Sequence, residues 1–477
     1  MINKLLKDSA LYTIASFISR GISLLLLPFY VRFLTKEEYG FFDLILLSVN
    51  FINLTFSLEI TQAIGRFLPT FRLKNAKVGL VSTGFLVTLA SYSLFLITYV
   101  FLKEFIQHNI FQTEFYGRTY FLIGLYIVTN GLFLFFQNNL RWDLKSYHFA
   151  LNSILFTLIN VFGVFLFIYK FKLGIDGVLY SGILASTFSI FSSYLCQKNY
   201  YMYFFSVKYA KKIITFSFPL IFSSISVYFS LYMDRIIINK FLGLEELAVF
   251  GVGYRFATIV GLISIGFSSS ISPLVYNSPY DLSTKRSISK LFTYYLIFST
   301  LLILFLSIFS KEIILIFATK EYLGASKILP LITSSVVFSS LYLFFPGLSI
   351  DNKTKILAFI NFLSAILNLF FCLILVDDFG VVGIAGSTLV TSIFSFVINF
   401  YFSQKYYHIE LDRGLVFRIT LIFITCFILT ISLNEYLIYS NLSIKILGIK
   451  MIFYLIVCLF IYFGVYRNSL SKLKTLI

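Results

Sequence analysis

Apolar runs of about twenty residues follow one another along almost the whole chain, from 9–31 to 446–466, and no other feature limits the fold so severely. A hydrocarbon layer about 30 Å thick needs roughly 20 apolar residues per helix. About fourteen such runs can be drawn. Inside hydrocarbon each backbone N–H and C=O must bond within the protein, so runs of this length fold as helices. At 59% hydrophobic and 12% charged residues over 477 positions, the chain lies outside the range of soluble domains, which run near 45–50% and 25%. The expected fold class is an all-α integral membrane protein with about fourteen transmembrane helices. The intervening loops are too short to hold a catalytic module. Lys4 and Lys7 before the apolar run 11–27 imitate a signal peptide. That run is too long and lacks a small-residue cleavage site, so an uncleaved first helix is expected.

The charge pattern orients the helices. With an even number of spans, both tails share a side with the segments 66–77, 141–145, 198–212, 285–290, 353–355 and 405–418. These segments carry essentially the whole net charge of +17, and the opposite side is close to neutral. The positive-inside rule places the basic side, and with it both termini, in the cytoplasm. Topology and anionic lipid account for the surplus. It is scattered over separate segments rather than gathered in one patch, so no nucleic-acid partner is expected.

Two pairs of short segments repeat. Phe33-Leu34 followed by Glu37-Glu38 returns as Phe241-Leu242 followed by Glu245-Glu246, an offset of 208. Gly174-Ile175-Asp176-Gly177 returns as Gly380-Val381-Val382-Gly383, an offset of 206. The division expected from them is a six-helix bundle over 1–212, a second over 213–405, and two appended helices over 406–477. Six is even, so the halves enter the membrane in the same sense, as parallel repeats do in secondary transporters that bind substrate between them. A duplicated scaffold without transport is the competing reading.

Ionisable residues within spans are costly, about 2.5–3.5 kcal/mol on insertion scales, and face a cavity or a partner. Arg20 lies near the middle of the first span, in the series Ser9, Thr13, Ser16, Arg20, Ser23, whose spacing makes one polar stripe. The second span gives Ser48, Thr55, Glu59 and Gln62, and beside them Asn50, Asn53 and Ser57. The seventh gives Ser223, Ser226, Ser230 and Asp234; the eighth carries Arg255 with Thr258 and Ser269. Equivalent helices of the two halves thus supply stripes suited to one hydrophilic cavity. The structural alternatives are pairing of Arg20 with a buried acid or carbonyl, plain helix packing through small hydroxyls, and snorkelling or local pairing for Asp234 and Arg235.

Cys196, Cys372, Cys426 and Cys458 fall in or at the ends of apolar runs without CxxC spacing, as small core residues do, and no disulfide is expected. His108, His148 and His408 lie far apart, and no metal site is expected. Walker A, HExxH and GxSxG sequences are absent, so ATP hydrolysis within this chain is not expected. Membrane glycan polymerases and ligases carry a long external active loop, whereas the longest here is around 101–118. A transporter is expected rather than an enzyme.

Leu27-Pro28-Phe29-Tyr30-Val31-Arg32-Phe33-Leu34-Thr35-Lys36-Glu37-Glu38-Tyr39-Gly40 resembles the opening of the polysaccharide flippases (Wzx type) of the multidrug/oligosaccharidyl-lipid/polysaccharide exporter superfamily. Asp234-Arg235-Ile236-Ile237-Ile238 and Gly243-Leu244-Glu245-Glu246-Leu247 look like the corresponding second-half segment. The resemblance implies translocation of an undecaprenyl-diphosphate-linked oligosaccharide across a bacterial cytoplasmic membrane, for O-antigen, capsule or another surface polysaccharide. It implies no cofactor, a proton or sodium gradient as energy source, and as partners the membrane lipids and the pathway's polymerase and chain-length proteins. Carried onto this chain, Arg20 and Arg255 would face the diphosphate, with Ser16, Ser23, Asn50 and Asn53 beside them, and Glu59 and Asp234 would couple an ion. A cation-coupled exporter of drugs or small amphiphiles and a lipid II flippase are the alternative readings.

Overall fold

The computed structural model describes residues 17–18, 21–22, 24–111, 117–201, 204–277, 280–351, 353–412, 414, 416–421, 424–425, 427–428 and 444–461. They are almost wholly helical, and nine of their helices are long and apolar enough to cross a membrane. The chain divides into two compact units, Met1–Arg235 and Ile236–Ile477. Arg20, Ser16 and Ser23 lie outside the described residues, as do Cys426 and the end of the run 415–433 from 429 onward.

The first unit contains α1 (Leu27–Phe33), α2 (Lys36–Phe56), α3 (Ile60–Phe67), α4 (Lys74–Phe101), α5 (Gly117–Trp142), α6 (Ser146–Val164, continued by a π turn through Lys170) and α7 (Gly174–Gln197). It also holds most of α8 (Val207–Leu242). Pro28 opens α1, where its missing N–H costs no helix bond. The turn carrying the family resemblance is a capping box. Thr35 Oγ1 accepts from the Glu38 N–H at 3.1 Å, and Glu38 Oε2 accepts from the Thr35 N–H at 2.9 Å. Thr35→Ala is expected to cost about 1 kcal/mol, read as a small fall in melting temperature of the detergent-solubilised protein; an unchanged value would show that the box contributes nothing.

α5, α6 and α7 pack closely and share a buried polar network. Asn152 Nδ2 donates to Gln137 Oε1 and to Ser193 Oγ, while Gln137 Nε2 donates to Ser153 Oγ. A buried network of this kind holds helices together where lipid removes the usual hydrophobic drive.

The second unit contains α9 (Leu244–Asn277), α10 (Leu282–Ile308), α11 (Ser310–Phe317), α12 (Ala325–Ser340), α13 (Thr354–Tyr406) and α14 (Ile444–Ile461). α12 packs against both α9 and α13. At 1.5 Å per residue, α13 as one rod would be far longer than any bilayer is thick. It is instead a hairpin. Gly380 takes φ 54° and ψ −136°, and Ser387 Oγ beyond it lies 2.8 Å from Cys372 Sγ before it. In a straight helix those residues would stand about 22 Å apart. The separate spans expected at 356–376 and 383–402 are these two arms. Phe359, Phe362, Ile366, Phe370 and Leu373 form an exposed apolar stripe on the first arm, suited to lipid.

The second repeat anchor now has a stereochemical meaning. Gly174 and Gly380 share φ +54°, a left-handed turn that reverses the chain. Three residues on, a side chain at Gly177 would press on the Phe167 backbone, and one at Gly383 would come within 2.5 Å of the Leu375 carbonyl. In each half the first glycine turns the chain and the next lets the returning helix touch the outgoing one.

The second span differs from expectation. Its polar stripe does not run along one continuous helix, because Leu58 and Glu59 take left-handed φ values of 52° and 49° and separate α2 from α3. Ser48 and Thr55 bond back to the carbonyls of Leu44 and Phe51 on their own helix. Neither glycine nor proline marks the break.

Candidate functional site

The break at Leu58–Glu59 opens a cleft of about 500 Å³ within the first unit, lined by Glu59, Gln62, Gly65, Arg66, Trp142, Phe216, Leu220 and Ser224. Two non-glycine residues in the left-handed region cost roughly 1–2 kcal/mol each. Strain of this kind persists only where surrounding structure enforces it, and it concentrates at working sites. Behind the cleft, Ile60, Ala63, Ile64, Leu80, Phe135 and Phe136 form a dry core that holds α3 in place.

Helical spacing explains the lining. Gln62 and Arg66 project from successive turns of α3 with Glu59 just before its first residue, and Phe216, Leu220 and Ser224 from successive turns of α8. Ser224 Oγ donates to Glu59 Oε1 at 2.5 Å, tying the two walls together. Trp142, the sole tryptophan of the chain, closes the end at the last residue of α5. Gly65 leaves room for its indole, since a side chain there would overlap the ring. Trp142 Nε1 is buried and has no hydrogen-bond partner among the described residues. Gln62 and Arg66 are exposed at the rim, and nearby Lys212 Nζ lies 4.3 Å from the Phe67 ring centroid. The cleft therefore holds one carboxylate, one guanidinium, an amide and a hydroxyl on partly apolar walls that include the indole ring.

A second polar cluster lies in the same unit. Asp43 and Asp234 are 4% and 3% exposed, and Arg235, at 7%, places Nε 3.7 Å from Asp43 Oδ2. The Arg235 guanidinium also lies 5.4 Å from the Tyr232 ring centroid, and its backbone N–H donates to Asp234 Oδ1 at 2.8 Å. The snorkelling reading of Arg235 is replaced by pairing within the protein, across 192 positions of sequence from Asp43.

The remaining candidates are dispersed. Asn53 is buried with both ends of its amide engaged: Tyr92 Oη donates to Oδ1, and Nδ2 donates to Asn130 Oδ1, each at 2.9 Å. Gly131 beside it has no room for a side chain. Asn50 is exposed on α2. Arg255 is half-buried on α9 in the second unit, where its carbonyl accepts from Thr258 Oγ1 at 2.6 Å. Trp142 and Asp43 escaped the sequence reading. The signal for Asp43 was a lone carboxylate inside an apolar run; for Trp142 it was only its uniqueness.

Comparison with known proteins places this architecture. A family model described as "Polysaccharide biosynthesis protein" matches residues 5–274, and one described as MatE matches 219–374. The chain is 23% identical to an uncharacterized membrane protein of Methanocaldococcus jannaschii, over 99% of this chain and 96% of that protein. It is 26% identical to the probable low-salt glycan biosynthesis flippase Agl15 of Haloferax volcanii, over 43% of this chain and 44% of that protein. Among solved structures, the lipid II flippase MurJ in an inward closed conformation superposes with a TM-score of 0.69 at 18% identity, covering 95% of this chain and 99% of that one. An inward-facing multidrug resistance MATE transporter gives 0.62 at 14%, covering 81% and 94%. These likenesses show the fold, which is consistent with about fourteen transmembrane helices.

Proposed function

The chain belongs to the polysaccharide biosynthesis protein family, within the flippase and exporter superfamily, and on that premise we propose that it is a flippase for a polyprenyl-diphosphate-linked oligosaccharide. In a bacterial membrane the lipid would be undecaprenyl diphosphate and the product O-antigen, capsule or another surface glycan. The observation that carries this reading is the family match over 5–274 together with a cleft of mixed charge and hydrogen-bonding groups inside an apolar bundle.

The physics of the cargo fits such a path. Sugars and diphosphate need polar surroundings, while the prenyl chain stays in hydrocarbon. Arg20 and Arg255 face the diphosphate, since a guanidinium fork matches phosphate oxygens. Glu59 and Asp234 are the carboxylates that bind the coupling proton or sodium ion. Asn50 and Asn53 border the path. The basic side is cytoplasmic, which puts both termini there and makes the cleft, with Arg66 at its rim, an inward-facing one. Movement follows alternating access between the repeats, and no covalent chemistry is required.

Deleting the gene tests this directly. In sealed, right-side-out spheroplasts the lipid-linked oligosaccharide is expected to become inaccessible to lectin, and wild-type complementation restores access while Arg20→Ala does not. Arg20→Lys retains part of it. Normal access in the deletion, with no redundant flippase in the genome, contradicts the proposal.

The match of residues 219–374 to MatE supports a second reading, export of small organic cations. In that case substitutions at Glu59 and Asp234 raise drug sensitivity and leave surface glycan unchanged.

A further inference from the structure

The cleft between α3, α5 and α8 has a composition that suits neither a phosphate nor a bulky organic cation. A phosphate drawn to Arg66 would meet the Glu59 carboxylate on the same wall, and an organic cation drawn to Glu59 would meet Arg66. What the lining offers instead is a balanced set of acceptors and donors: carboxylate and amide oxygens, guanidinium and amide N–H groups, and the Ser224 hydroxyl. Phe216, Leu220 and the Trp142 indole supply apolar surface beside them. Its volume of about 500 Å³ lies within the range of small-molecule sites.

Trp142 is half-buried at the wall of the cleft, where its indole offers a flat apolar surface. A neutral ring bearing many hydroxyls, with an apolar face between them, satisfies every feature of this lining.

We propose that this cleft binds the proximal sugars of the translocated glycolipid, with Glu59 and Gln62 bonding sugar hydroxyls and Trp142 forming the floor. The proposal rests on the flippase reading and adds to it a separate subsite for the glycan, apart from the arginines assigned to the diphosphate. A hydroxyl and a coupling ion would compete for the same Glu59 oxygens, so sugar binding and ion binding at this residue exclude each other.

Because Trp142 is the sole tryptophan, its emission reports on this cleft alone. The intact protein in nanodiscs is titrated with lipid-linked oligosaccharide extracted from host membranes, with sugar-free undecaprenyl diphosphate, and with tetraphenylphosphonium. The glycosylated lipid is expected to shift Trp142 emission saturably, and the sugar-free lipid is not. Glu59→Gln and Gln62→Ala are each expected to weaken the glycolipid response about tenfold, as loss of one hydrogen bond to a ligand does. Melting temperatures of both variants identify any that fails to fold, and Gln62→Ala, at an exposed position, is the one expected to leave folding intact.

An identical response to the sugar-free lipid overturns the sugar site while leaving the flippase reading intact. So does an unchanged emission in protein that still flips the glycolipid. A saturable response to tetraphenylphosphonium alone, without flipping, removes the flippase reading itself.

Discussion

Arg235→Ala is expected to destabilise the protein by about 3–5 kcal/mol, the range seen when one partner of a buried ion pair is removed. The substitution leaves Asp43 and Asp234, 4% and 3% exposed, without the guanidinium that lies 3.7 Å from Asp43. Two carboxylates close to one cation also repel each other once that cation is gone. The effect is read as a fall of several degrees in the melting temperature of the detergent-solubilised protein. Asp43→Asn combined with Arg235→Gln is expected to recover part of the loss, because no net charge then stays behind from that pair. An Arg235→Ala protein that melts with the wild type would show that the cluster is open to water in the working protein.

Lys450→Met is the second large effect. Lys450 on α14 and Glu312 on α11 are 2% and 6% exposed, and Nζ donates to both carboxylate oxygens, at 2.7 and 2.9 Å. Methionine fills the stem of the lysine but strands the Glu312 carboxylate, again at a cost of about 3–5 kcal/mol. Replacing both residues, as Lys450→Met with Glu312→Leu, is expected to be near neutral, since the cost of dehydrating two charges disappears with their attraction. The contrast between single and double variants is the diagnostic result. Equal losses in both would show that packing, rather than charge, fixes α14 to the second unit.

The sequence carried the helical architecture well because the bilayer leaves the backbone few choices. The second repeat anchor proved to be a backbone device, paired left-handed glycines at 174 and 380, whereas the first is a capping box only at Thr35–Glu38, its later copy having Gly243 with φ 86° in place of Thr35. Such devices are legible because a few residue types can serve them. The break at Leu58–Glu59 was not legible, since no residue there favours positive φ; tertiary packing imposes it. Partner choice was hidden for the same reason. Glu59 meets Ser224 and Glu312 meets Lys450 over separations of 165 and 138 positions, and no local pattern selects one hydroxyl or one lysine among many. Trp142 gave no periodic signal, because it contributes to the cleft from the end of its helix. Arg20, Ser16 and Ser23 fall outside the described residues, so the first-span stripe stands on its spacing alone.

The most direct test of the account is flipping by the purified protein. Lipid-linked oligosaccharide, radiolabelled in its sugars, is reconstituted into sealed liposomes with and without the protein, and a membrane-impermeant glycosidase is added outside. The account predicts that protein raises the cleavable fraction from the outer-leaflet share toward the whole pool, and that Arg20→Ala and Gln62→Ala slow that rise. A cleavable fraction unaffected by wild-type protein, in liposomes where the same protein moves an organic cation, would contradict it.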